Sequence, residues 1–132
     1  MTYWDGRYFA SGIVIIEVGT VVVQGAIREI RFQLGTATKS STTQIPGSSR
    51  ILYTAVQIID VYDAGARISI GHSGDDELLM TINDNTPQQL GTYVVDNDVL
   101  FPGVATSVLA TVTGSPTNGS AIVIVRHSQP ET

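Results

Sequence analysis

The sequence predicts an all-β fold: an antiparallel β-sandwich, jelly-roll-like, with about 8-10 short strands. Three observations predict it. Val, Ile and Thr supply 15, 14 and 15 of the 132 residues, a third of the chain. These β-branched side chains lose least in an extended backbone and pack well on a pleated surface. Thirteen glycines and five prolines punctuate them. Helical periodicity is nearly absent, with at most one turn expected near Asp75–Leu79, and extended runs alternate with turn chemistry.

The elements follow in order. Tyr3, Trp4, Tyr8 and Phe9, four of the chain's nine aromatics, precede the first apolar run. Residues 1–12 therefore read as an N-terminal aromatic arm, ahead of a single sandwich domain over 13–127 and a polar tail over 128–132. Aromatics bring large contact area and dominate interfaces, so these four are candidate partner-binding residues; folding back onto the chain's own core would use the same rings. IVIIEV (13–18) and TVVVQ (20–24) read as two strands, with a bulge or bend expected at Gly19. In AIREIRFQLG (26–35), Ile30, Phe32 and Leu34 share one face while Glu29, Arg31 and Gln33 share the wet one.

Residues 36–50 hold one large apolar residue, Ile45, and the turn pair Pro46-Gly47, which reads as a loop or a short edge strand. ILYTAVQIIDVY (51–62) is the longest strand candidate, closed by the Asp63-Ala64-Gly65 turn. Residues 66–71 alternate, with Ile68 and Ile70 on one side and Arg67 and Ser69 on the other. HSGDDE (72–77) reads as a polar loop, LLMTI (78–82) as a strand, and 83–89 as a loop in which Pro87 bars a central strand. GTYVV (91–95) is a strand that turns at Asp96-Asn97-Asp98, and Pro102-Gly103 turns again. VATSVLATVT (104–113) and SAIVIVRH (120–127) read as a terminal hairpin around GSPTNG, where Asn118-Gly119 suits positive φ.

Charge narrows the partners. The net charge is -5 and the pI about 4.7, so phosphate is repelled, and nucleic acid and anionic membrane are excluded as partners. Charged residues make up 14% of the chain, against about 25% in ordinary soluble domains. That leaves either a Ser/Thr/Asn/Gln-rich solvated surface or one covered by partners. The chain has no cysteine, which removes disulfides and thiolate metal sites and fits a reducing compartment. The apolar run after the arm falls short of the roughly 20 residues a membrane helix needs, and no basic segment precedes it as in a secretory signal.

No catalytic motif is present: neither a phosphate-binding glycine loop, nor a zinc-protease helix, nor a nucleophile elbow. His72 and His127 stand far apart and read as surface polar residues, so no metal site is expected. The carboxylates of GDDE (74–77), like Asp84, Asp96 and Asp98, lack calcium-loop spacing and read as solvated loop residues, Asp75 or Asp76 capping a short turn. Asn118-Gly119-Ser120 matches a glycosylation sequon but reads as a turn. No catalytic residue and no cofactor is expected.

The stretch IPGSSRILYTAVQIIDVYDAGARISIGHSGDDELL, followed by GTYVV and ATVTGSPTNGSAIVIVRH, resembles small virion structural proteins of tailed bacteriophages, most closely head decoration (cement) proteins. The resemblance covers about residues 45–127 and rests mainly on Gly65, Gly71, Gly114, Pro116 and Gly119; Arg126-His127 stands where such chains often close with Tyr. It implies a non-enzymatic β-sandwich subunit, a homo-oligomer and commonly a homotrimer. It also implies a place on the capsid surface, binding the major capsid protein and stabilising its lattice, after synthesis in the host cytoplasm. Two other readings stand beside it: a tail or baseplate component, and a carbohydrate-binding sandwich module. The loops 36–50, 72–77, 83–89 and 114–119 contain no Phe, Tyr or Trp to stack on a sugar.

Overall fold

The computed structural model describes residues 27–128. The runs 13–18 and 20–24 and the tail from residue 129 lie outside the described residues. Eight strands follow in chain order: β1 (Ile27–Leu34), β2 (Lys39–Ile45), β3 (Arg50–Asp60), β4 (Arg67–His72), β5 (Asp75–Met80), β6 (Gly91–Leu100), β7 (Thr106–Thr113) and β8 (Ser120–Ser128). They form two four-stranded sheets, one ordered β1-β8-β3-β6 and the other β2-β7-β4-β5. Every pairing is antiparallel. All connections cross from one sheet to the other except β4–β5, which is the wrapping of a jelly roll.

Alternation decides which side chains fill the space between the sheets. Ile30 and Leu34 of β1, Val56 and Ile58 of β3, and Ala121, Val123 and Val125 of β8 point inward from the first sheet. Ile45, Ile68, Ile70, Val108 and Ala110 meet them from the second. Tyr62 and Phe101 plug the two ends of this core. One end of the sandwich collects the loops 35–38, 61–66, 81–90 and 114–119. The other collects 46–49, 73–74 and 101–105, together with Ile27 and Ser128, which pair with each other.

Segment 36–50, expected as a loop or a short edge strand, contains the edge strand β2 of the second sheet. An edge strand needs only one buried stripe, and Ser41 and Ile45 supply it while the rest of β2 is exposed. The expected single helical turn near Asp75–Leu79 is instead strand β5. Its hairpin with β4 is closed by Ser73-Gly74, and Gly71 lets the β5 backbone approach so closely that a Cβ there would strike the Asp75 carbonyl. The expected turn at Asp96-Asn97-Asp98 is a bulge inside a continuous β6, marked by a register shift opposite Ile51–Tyr53. The terminal hairpin does not form: β7 pairs with β2 and β4, and β8 pairs with β1 and β3 in the other sheet.

Candidate interaction surface

The register places four side chains in each row across the outer face of the first sheet. Gln33, Ile122, Gln57 and Thr92 form one row; Arg31, Ile124, Ala55 and Val94 the next; Glu29, Arg126, Tyr53 and Asp96 the third. Ile59 and Leu90, beside the paired Ile58 and Gly91, extend the face toward the loop-rich end. Its middle is apolar. Val94, Ile59 and Leu90 are 56%, 43% and 65% exposed, and Ile122 and Ile124 are half-buried.

The outer face of the second sheet is different. Ser40 and Gln44 of β2 and Ser107, Leu109 and Thr111 of β7 make it a largely polar surface, over the buried Ser69 of β4. A shallow cleft of about 360 Å³ there is lined by Ser40, Gln44, Ser73, Ala105, Thr106, Ser107 and Leu109. It holds no titratable group that could act as acid or base. The two faces of the sandwich thus carry different chemistry: one suits water, the other a covering partner.

The polar end of the apolar face is an ionic knot. Glu29 accepts from the Arg126 guanidinium at 3.0 Å and from Arg31 Nε at 3.1 Å. The Arg126 hydrogen bond above all, with Arg31 behind it, holds the Glu29 carboxyl below the usual carboxylate range. Arg126 also lies 5.7 Å from the centroid of the Tyr53 ring, within cation–π reach.

The loop-rich end is clamped by Tyr62 and Asp63. The Tyr62 hydroxyl donates to the carbonyls of Gly35 at 2.8 Å and Leu34 at 3.3 Å. Its burial pushes the phenol up to about 12. Asp63 accepts from the backbone N–H groups of Thr117 and Asn118, from the Thr117 hydroxyl and from the Asn118 amide. These bonds, the Thr117 N–H first, lower its carboxyl to about 2. Gln88 ties the 81–90 loop to the carbonyls of Asp63 and Ala66.

The candidate contact residues Tyr3, Trp4, Tyr8 and Phe9 lie outside the described residues. The GDDE carboxylates start strand β5: Asp75 caps the Glu77 N–H, and Glu77 accepts from the Ile82 N–H. Among the described residues no three His, Asp or Glu side chains group as metal ligands. His72 is half-buried and packs edge-on against Phe101. His127 is not a surface residue: it is 3% exposed on the inner face of β8, and burial pushes its imidazole below its ordinary value. The alternation Val123, Val125, His127 carried that placement in the sequence. Sequence reasoning also passed over the apolar outer face, whose signal was present. SAIVIVRH is apolar on both alternating faces, the mark of a strand covered on both sides.

No protein-family model matches the chain, and no curated protein matches its sequence. Solved structures do match in fold. A chain of the cyanophage Pam1 capsid asymmetric unit aligns with TM-score 0.65 at 14% identity, covering 92% of this chain and 98% of that one. A chain of the acid-stable capsid of Helicobacter pylori bacteriophage KHP30 aligns with TM-score 0.65 at 11% identity, over 83% and 92% of the two chains. A chain of the Ralstonia phage GP4 capsid aligns with TM-score 0.56 at 13% identity, over 89% and 93%. The match runs nearly end to end on both sides, so the shared feature is the whole sandwich.

Proposed function

We propose that this chain is a non-enzymatic virion structural protein of a bacteriophage, a decoration protein that binds the outer capsid surface and cements the lattice of the major capsid protein. The observation that carries the reading is the fold match to chains of three phage capsids, which covers 98%, 92% and 93% of those chains. The apolar outer face of the first sheet supports it, because a cementing subunit works through contact area and needs no reacting group. The subunit acts as a homotrimer, whose several weak contacts add through effective concentration. Tyr3, Trp4, Tyr8 and Phe9 reach the capsid or a sister subunit from the N-terminal arm. No cofactor takes part.

The test mixes the full-length chain with purified capsids of its own phage that lack it. The chain sediments with the capsids and raises the temperature at which they break open. Replacing the four arm aromatics by Ala weakens binding at least about tenfold, as loss of interface anchors does. Absence of binding by the intact chain contradicts the cementing role, and undiminished binding by the folded variant contradicts the role of the arm.

A further inference from the structure

Across the sandwich β1 packs beside β2 and β5 beside β6, so the molecule has two lateral edges. Their charges are opposite. The β5/β6 edge and the loop joining its strands carry Asp75, Asp76, Glu77, Asp84, Asp96 and Asp98. Arg50 answers Asp98 alone. Among the described residues, the β1/β2 edge carries Arg28, Arg31 and Lys39, with Arg126 beside them on β8 and Glu29 as the one carboxylate. Each edge also offers apolar surface. Val94 and Leu100 are exposed on β6. On the opposite edge the sheets part over a cleft of about 260 Å³ lined by Glu29, Ile30, Arg31, Phe32 and Ser41–Thr43, which leaves Phe32 half-buried.

We propose that copies of this chain associate head to tail, the acidic β5/β6 edge of one against the basic β1/β2 edge of the next, and close into a ring. The inference rests on the oligomeric part of the proposed function and names its surfaces. A two-fold pairing of like edges would set acid against acid or base against base, which costs several kcal/mol. A heterologous pairing sets opposite charges together and generates a ring when its rotation closes.

The experiment follows molar mass in solution at about 50 mM and about 500 mM NaCl, since screening acts on exposed charges. The wild-type chain forms one finite oligomer at low salt, and its apparent dissociation constant rises at least about tenfold at high salt. Asp76→Lys/Asp96→Lys and Arg31→Glu/Lys39→Glu, each shown folded by an unchanged melting transition, weaken association when made separately and recover it when combined in one chain, where every contact in the ring again sets opposite charges together. If a variant fails to fold, the wild-type salt series and the neutral Asp76→Asn/Asp96→Asn variant carry the test. An oligomer indifferent to salt and to both reversals overturns the edge pairing and leaves the oligomer standing. A wild-type monomer overturns both, and capsid binding is read separately by sedimentation. Mass that grows with concentration without a plateau overturns ring closure.

Discussion

Tyr62, Asp63 and Gly119 show how single residues lock the loop-rich end. Gly119 holds φ +136°, and a Cβ there would enter the Tyr62 ring. Gly119→Ala combines backbone strain with overpacking and lowers stability by about 3 kcal/mol, read from urea unfolding. Asp63 supplies the acid sensitivity. Its carboxyl lies at about 2 in the fold against an ordinary 3.8. The unfolded chain therefore binds the proton first as pH falls. The stabilisation is complete above about pH 4 and is lost between about pH 4 and about pH 2. Asp63→Asn removes that part of the acid limb, and thermal unfolding followed across this window measures it. The Asp63-Ala64-Gly65 turn was legible in the sequence. Its capture of Thr117 and Asn118 was not, because partners more than fifty residues apart leave no local pattern.

At the scale of elements, legibility followed burial. β1, β3, β4 and β8 announce themselves because strands with a buried face must alternate, and the central strands β3 and β8 are apolar on both faces. β2, β5 and β6 are sheet edges, which tolerate Ser, Thr and Asp, so their polar stretches, Asp75–Glu77 and Asp96–Asp98 among them, read as loop or turn while LLMTI and GTYVV read as strand. The bulge in β6 gives its polar triplet a structural use. Asn97 Nδ2 donates to the Leu79 carbonyl at 3.1 Å in the other sheet, and the buried Thr54 hydroxyl donates to Asn97 Oδ1 at 2.7 Å. Asn97→Ala leaves both partners unsatisfied and destabilises the sandwich by about 2 kcal/mol, measurable by chemical denaturation.

At the scale of the molecule, alternation tells which face of a strand is buried but not which strand lies beside it. For that reason the two-sheet architecture was readable while the pairing of β7 with β8 was misread: a loop with hairpin chemistry at Asn118-Gly119 here carries the chain from one sheet to the other. Function was legible only as surface. The sequence offers no reactive constellation, and the fold supplies an apolar face on one sheet, a largely polar face on the other and opposed charge at the two edges. These features suit a protein that works by being wedged between others, which is the role proposed for it on a phage capsid. Gold-labelled antibody against this chain, applied to intact virions and viewed by electron microscopy, tests that role most directly. Label distributed over the head is the predicted result; label confined to the tail, or absent from the particle, would contradict it.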